Sequence, residues 1–209
     1  MKTILLTSSG QFITKNDLSF LPKPINQMKM AYVTTASKNE EDQSYMIDKQ
    51  EGFKKLGIDF EELDIKGKTE QELRAKLKDK KVVYVEGGNT FYLLKAVRES
   101  GFDKVIKDLV NKGVVYIGSS AGSYICCPTI EVSLWKHPYK SEHFGVADFT
   151  AMNLVQFYIF VHYKPKYKEL LEEKIPQVKY PVKILTDEQA LLIQDDKVEL
   201  IGDGIEITL

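Results

Sequence analysis

The chain has few of the features that mark secreted, membrane-bound or nucleic-acid-binding proteins. Its only cysteines, Cys126 and Cys127, are adjacent, which suits neither a structural disulfide nor a metal site and favours a reducing compartment. The apolar run at residues 4–6 is shorter than the roughly 7 residues of a secretory signal, and no stretch approaches the ~18 of a membrane span. The net charge of −1 gives little attraction to nucleic acid or anionic lipid. We therefore predict a cytoplasmic protein with no nucleic acid or membrane partner.

The order of apolar runs predicts an α/β fold. Short, continuously apolar stretches, typical of strands buried on both faces, occur at residues 4–6, 28–34, 81–85 and 114–117. Stretches with one apolar face at helical spacing lie at about residues 42–56, 69–78, 89–100 and 102–110. This alternation predicts a mostly parallel sheet flanked by helices in three layers. Without a linker or repeat, residues 1–209 are expected to form a single domain.

The most informative stretch is the apolar run at residues 114–117 followed by Gly-Ser-Ser-Ala-Gly at residues 118–122. Gly-x-Ser-x-Gly between a strand and a helix is typical of a sharp turn that exposes the serine hydroxyl at the sheet edge. The two glycines remove Cβ atoms that such a turn would bring into collision. The alternative role of the serine is a simple helix cap. We interpret Ser120 as a candidate nucleophile.

A serine nucleophile needs a base, and the chain has three histidines, His137, His143 and His162. His162 ends an apolar stretch at residues 154–163 that predicts a strand, so a loop can return it to the sheet edge near Ser120. The other two lie in the irregular stretch 128–150, which is either a binding loop or a packed surface loop. His162 is therefore the favoured base, and a structural role is its alternative.

A second strand-to-glycine turn follows residues 81–85. If the two strands are parallel neighbours, Gly87 and Gly88 lie beside Ser120 at their carboxyl ends, where open α/β sheets bind ligands. The N–H groups of Gly88 and Ala121 then suit stabilisation of an oxyanion. The competing interpretation is a phosphate-binding loop, but neither Gly-x-Gly-x-x-Gly nor Gly-Lys-Ser/Thr occurs in the chain.

Four segments together resemble the peptidase E family of serine peptidases, which includes aspartyl dipeptidase and cyanophycinase. They are Thr-Thr-Ala-Ser at 34–37, Gly-Gly-Asn-Thr-Phe-Tyr-Leu-Leu at 87–94, Ile-Gly-Ser-Ser-Ala-Gly-Ser at 117–123 and His-Tyr at 162–163. They occur in the family's order and span most of the chain. The resemblance implies a fold similar to class I glutamine amidotransferases.

The resemblance also implies roles for individual residues. Ser120 matches the family's nucleophile and His162 its general base, while Gly88 and Ala121 match its oxyanion donors. An acid in a turn after the histidine fits Glu188, and Asp148 and Glu131 are the alternatives for the third triad position. No metal or organic cofactor is implied.

The chain departs from the family in one respect that concerns specificity. Aspartyl dipeptidases carry an arginine after the histidine that holds the acidic substrate side chain, whereas no arginine follows Arg98 here. Lysine lacks the planar fork that binds a carboxylate in two places. We expect a serine peptidase acting on short peptides, a dipeptidase or exopeptidase, without strict preference for an amino-terminal Asp. The alternatives are an esterase or amidase with the same triad, or a silent homologue that binds a small ligand.

Overall fold

A seven-stranded sheet forms the centre of the computed structural model, which describes residues 1–38, 40, 42–136 and 144–209. The strands of the chain are β1 (Thr3–Thr7), β2 (Met30–Val33), β3 (Phe60–Leu63), β4 (Val82–Val85), β5 (Val115–Ser119), β6 (Tyr158–Phe160), β7 (Val182–Ile184), β8 (Gln189–Gln194) and β9 (Lys197–Gly202). The large sheet has the order β3-β2-β4-β5-β1-β8-β9. The neighbours from β3 to β1 are parallel, whereas β8 and β9 are added antiparallel. The predicted mostly parallel sheet is confirmed.

Helices connect the strands and cover the sheet. They are α1 (Phe12–Lys15), α2 (Ser44–Lys55), α3 (Glu70–Leu77), α4 (Thr90–Ser100), α5 (Phe102–Asn111), α6 (Ala121–Tyr124), α7 (Glu131–Leu134) and α8 (Lys168–Lys174). Side chains cap the starts of two helices: Thr69 and Glu72 form a capping box on α3, and Asn89 accepts from the first turn of α4. In the described part of the chain, no helix is both long enough and apolar enough to cross a membrane.

The strands bury side chains on both faces of the sheet. On β1, Ile4 and Leu6 pack in one apolar cluster, with α3, α4 and α5, whereas Leu5 packs in the other, with α1 and α2. Successive side chains of a strand point to opposite faces, so a strand covered on both sides must be apolar throughout. The continuous apolar runs in the sequence have this origin.

The predicted strand over residues 154–163 is much shorter in the structure. Only β6 is extended there, and it pairs in parallel with β7 in a separate two-stranded sheet. The backbone before β6 is held differently, since the N–H groups of Leu154 and Val155 donate to the Cys126 carbonyl. Both side chains are nevertheless buried. Burial without strand pairing therefore explains the length of the apolar stretch.

Candidate active site

Ser120 lies at a tight turn between β5 and α6, as the sequence predicted. Its backbone has φ 49° and ψ −104°, a positive φ that side-chain-bearing residues rarely adopt. A Cβ on Gly118 would lie 2.4 Å from the carbonyl oxygen of Gly122, and one on Gly122 would lie 2.2 Å from that of Val85. Both glycines of the motif are thus required by close backbone packing. The turn places the Ser120 hydroxyl at the carboxyl edge of the sheet.

A chain of hydrogen bonds connects Ser120 to an acid through His162. The Nε2 atom of His162 lies 2.9 Å from Ser120 Oγ. The other ring nitrogen, Nδ1, lies 2.5 Å from Oδ1 of Asp187. This is the arrangement of a nucleophile, a base and a group that orients the base. The structure therefore brings together the serine and the histidine that the sequence analysis selected.

The acid against His162 is Asp187, so the prediction of Glu188 does not match the geometry. Both acids lie in a four-residue turn that begins at Thr186 and closes when the Gln189 N–H donates to the Thr186 carbonyl. Asp187 meets the imidazole from this turn, whereas Glu188 is exposed. The turn is the predicted one, but the acid that contacts His162 lies one residue before the predicted Glu188.

The remaining alternatives for triad members lie elsewhere or outside the described residues. The Asp148 carboxylate pairs with Arg98 at 3.1 Å, and Glu131 lies in the first turn of α7. Neither has a hydrogen bond to His162 within residues 1–38, 40, 42–136 and 144–209. His137 and His143 lie outside those residues.

Ser8, which sequence analysis did not select, supports both the histidine and the acid. This fully buried residue follows β1, the strand beside β5. Its hydroxyl donates to Asp187 Oδ1 at 3.0 Å and accepts the His162 backbone N–H at 2.7 Å. The second bond holds His162 in a backbone conformation with φ 55°. The position of Ser8 at the carboxyl end of an apolar run is the sequence signal that could have indicated it.

Hydrogen bonding also sets the charge state of the acid. The bond from His162 is the largest influence that lowers the pKa of Asp187; its partial burial acts against this, and the His162 charge, the Ser8 hydroxyl and the Lys164 charge add to the lowering. Asp187 is therefore an anion at neutral pH. An anion on Nδ1 favours the imidazole tautomer that leaves Nε2 free to accept the Ser120 proton.

The two predicted oxyanion donors flank Ser120. Gly88 follows β4 and has φ 133°, while Ala121 is the first residue of α6. Neither backbone N–H has an acceptor in the part of the chain that the structure describes. A Cβ on the adjacent Gly87 would lie 3.2 Å from Ser120 Cβ, so the glycine turn directly borders the nucleophile. The N–H groups of Gly88 and Ala121 are therefore available to bind an oxygen atom beside the Ser120 hydroxyl.

A cavity of about 520 Å³ opens in front of Ser120. The lining residues come from the end of β5, the turns after β1, β4 and β5, α1, α2, the segment before α2, and His162. They are Ser8, Ser9, Gly10, Gln11, Thr14, Lys15, Glu40, Tyr45, Asp48, Lys49, Glu86, Gly87, Gly88, Ser119, Ser120 and His162. A volume of this size lies within the ~300–1,000 Å³ range of small-molecule sites.

The floor of this cavity contains a buried ion pair that sequence analysis missed. The Lys49 ammonium lies 3.2 Å from the Glu86 carboxylate, and both side chains are almost fully buried. The hydroxyl of Tyr32 donates to Glu86 at 2.6 Å, and Lys49 donates to the hydroxyl of Tyr84 at 3.0 Å. Burial lowers the pKa of Lys49, and the Glu86 charge opposes that effect. An acid directly before the Gly-Gly turn was the available sequence signal.

The chain is similar to known peptidases along most of its length. The model of peptidase family S51 matches residues 4–201. An uncharacterized peptidase of Pasteurella multocida is 31% identical, the alignment covering 97% of this chain and 99% of that protein. Peptidase E of Nostoc is 29% identical over 97% of this chain and 86% of its own length.

Solved structures show the same fold. The crystal structure of a peptidase E-like protein from Listeria monocytogenes superposes with a TM-score of 0.81 at 28% identity, covering 98% of this chain and all of that one. A peptidase from an acI-B1 actinobacterium has a TM-score of 0.69 at 16% identity, over 97% of this chain and 88% of its own, and bears on the fold alone. With its fold, its turn at Ser120 and its sequence relatives in agreement, the chain belongs to peptidase family S51 and is a peptidase.

Proposed function

We propose that this peptidase is a serine hydrolase that cleaves short peptides through a triad of Ser120, His162 and Asp187. The observation that carries the proposal is the hydrogen-bond chain from Ser120 Oγ to His162 Nε2, 2.9 Å, and from His162 Nδ1 to Asp187, 2.5 Å. A serine hydroxyl is a weak nucleophile at neutral pH, and a base within hydrogen-bond reach activates it.

In the proposed reaction, His162 takes the Ser120 proton as the serine oxygen attacks the scissile carbonyl. The negative oxygen of the tetrahedral intermediate accepts hydrogen bonds from the backbone N–H groups of Gly88 and Ala121. His162 then gives its proton to the leaving amine, and the acyl group remains on Ser120. Water, deprotonated by His162, attacks this ester and releases the second product. Asp187 stays ionised and stabilises the imidazolium in both halves.

The cavity supports short and chemically varied substrates. Its size suits a few residues of peptide rather than a folded protein. Its lining carries both signs of charge, from Lys15, Lys49, Asp48, Glu40 and Glu86. Lys49 is already paired with Glu86, and the other lining lysine, Lys15, lacks the planar fork with which an arginine binds a carboxylate in two places. We therefore propose a peptidase without strict preference for an amino-terminal Asp, and we place it in the cytoplasm.

A dipeptide and tripeptide library, analysed by mass spectrometry beside a panel of simple esters, tests this function. We expect peptide cleavage by the wild type, and loss of it in Ser120→Ala and His162→Ala. Ester hydrolysis without any peptide cleavage would contradict the peptidase assignment. Cleavage that persists in Ser120→Ala would contradict the serine mechanism. Strong preference for amino-terminal Asp would overturn the proposed specificity.

A further inference from the structure

We infer that Ser37 is a positioning residue of the oxyanion hole, because its hydroxyl fixes the peptide group that carries the Gly88 N–H. This inference rests on the proposed serine mechanism and assigns a role to a residue outside the triad. Ser37 ends the 3₁₀ turn Thr35–Ser37 that follows β2. Since β2 and β4 are parallel neighbours, this turn and the Gly87-Gly88 turn meet at one edge of the sheet.

The inference rests on one buried hydrogen bond between Ser37 and Gly87. Ser37 is fully buried, and its Oγ donates to the Gly87 carbonyl oxygen at 2.8 Å. That carbonyl and the Gly88 N–H belong to one planar trans peptide, in which the two groups point in opposite directions. Fixing the oxygen against Ser37 therefore fixes the Gly88 N–H on the other side. The Tyr45 hydroxyl, 3.5 Å from the same oxygen, is a weaker second donor.

The same turn also holds the chain on the far side of Gly88. The Asn89 N–H donates to the Ala36 carbonyl at 2.9 Å. The Gly88 backbone approaches that carbonyl so closely that a Cβ would lie 2.4 Å from its oxygen. Gly88 is thus clamped between two contacts to consecutive residues, Ala36 and Ser37. A clamp of this kind orients a donor before the substrate arrives, which is the condition for efficient oxyanion stabilisation.

The peptide before Gly87 is fixed independently. The Gly87 N–H donates to Glu86 Oε1 at 2.8 Å, and Glu86 is in turn held by its ion pair with Lys49. The Gly87–Gly88 peptide lies between two glycines, which offer little conformational resistance to rotation. Without Ser37, only the weak Tyr45 contact would hold its carbonyl. The Gly88 N–H would then be aimed correctly for part of the time only.

The substitution Ser37→Ala tests this role, with Ser100→Ala as a matched control. Ser100 is also buried, and its hydroxyl donates to a helix carbonyl at 2.7 Å near the end of α4, away from the cavity. Complete loss of an oxyanion donor lowers kcat by about 10²–10³. For a misdirected donor we expect a fall of roughly 10- to 100-fold in kcat on the best-cleaved library peptide, with KM within about twofold.

A tagged fluorophosphonate gives a second measurement that needs no natural substrate. When Ser120 attacks the phosphorus of this reagent, negative charge develops on the phosphonyl oxygen. The labelling rate of Ser37→Ala should therefore fall by the same factor as its kcat. The pH midpoint of the labelling rate should not move, because His162 and Asp187 are untouched. Ser37→Cys, which keeps a weak donor of similar size, should label at an intermediate rate. Ser100→Ala should label at the wild-type rate.

Several results would overturn the inference. Labelling of Ser37→Ala at the wild-type rate would do so, as would a rise in KM with kcat unchanged. If circular dichroism shows that Ser37→Ala does not fold, a wild-type labelling rate in Ser37→Cys would overturn it instead. A folded wild type that is not labelled at Ser120 would defeat the proposed function itself. A labelled wild type with an equally fast Ser37→Ala would defeat only the role of Ser37.

Discussion

Replacing Asp187 with asparagine removes the charge that orients His162 while keeping the side-chain size. The carboxylate accepts the Nδ1–H at 2.5 Å and so leaves the Nε2 lone pair facing Ser120 at 2.9 Å. The amide of asparagine can donate to Nδ1 instead. That reversed bond favours the tautomer with the proton on Nε2, which cannot accept the serine proton.

The expected loss is large because the whole base function depends on this tautomer. Loss of the triad acid in other serine hydrolases lowers kcat by roughly 10⁴. At about 1.36 kcal/mol for each factor of ten, this corresponds to ~5.4 kcal/mol of transition-state stabilisation. The neighbouring substitution Glu188→Gln is the matched control, since Glu188 is exposed in the same turn. We expect it to change kcat/KM by less than about twofold.

Peptide hydrolysis measured at several pH values, together with the fluorophosphonate labelling rate, provides the assay. Circular dichroism spectra of both variants verify that the fold is retained. Loss of activity in Glu188→Gln with activity kept in Asp187→Asn would refute the role of Asp187, because the acid would then be the exposed residue. That role is also refuted if folded Asp187→Asn turns over at close to the wild-type rate.

Three further predictions concern stability and the glycine turn. Folding lowers the pKa of Asp187. The ionised Asp187 therefore stabilises the folded protein fully at pH values above its unfolded pKa, and this stabilisation is lost as the pH falls through its folded pKa. Urea unfolding from pH 7 to about pH 2.5 should therefore show a weaker acid dependence in Asp187→Asn, and an unchanged dependence would contradict this. Gly88→Ala should lower kcat by about 10²–10³. Gly57 also has a positive φ, 68°, but open space around it, so Gly57→Ala should affect only stability. Equal kcat values for the two variants would refute the clamp on Gly88. Lys49→Met should destabilise the protein by about 3–5 kcal/mol by leaving Glu86 unpaired, and Lys49→Met with Glu86→Gln should recover part of that in urea unfolding; no recovery would contradict the pairing.

Features set by neighbouring residues were predictable from the sequence. The turn at Ser120 was predicted from glycines at positions 118 and 122, where a Cβ atom would collide with the backbone. The helix starts follow from Thr69 and Asn89, which cap backbone groups two or three residues away. The parallel sheet follows from apolar strands without alternation. The capping side chains lie within three residues of the groups they bind, whereas Gly122 is also required by the Val85 carbonyl on the neighbouring strand.

Features set by contacts between distant segments were not predictable. Ser8 meets Asp187 across 179 residues of chain, and Ser37 meets Gly87 across 50. The end of an apolar run places Ser8 at the edge of the sheet, but the local pattern does not indicate which distant residue a serine contacts there. The choice between Asp187 and Glu188 likewise depends on how one turn is rotated against His162. The hydrogen bond from Ser8, a residue far away in the chain, helps to fix that rotation.

The most direct test of the account is to treat the folded wild type with a fluorophosphonate and locate the modified residue by peptide mass spectrometry. We predict one phosphonylated site, Ser120, absent in Ser120→Ala and formed far more slowly in His162→Ala. Modification at another residue, or a folded protein that stays unmodified at high reagent concentration, would contradict the central claim that His162 activates Ser120 as a nucleophile.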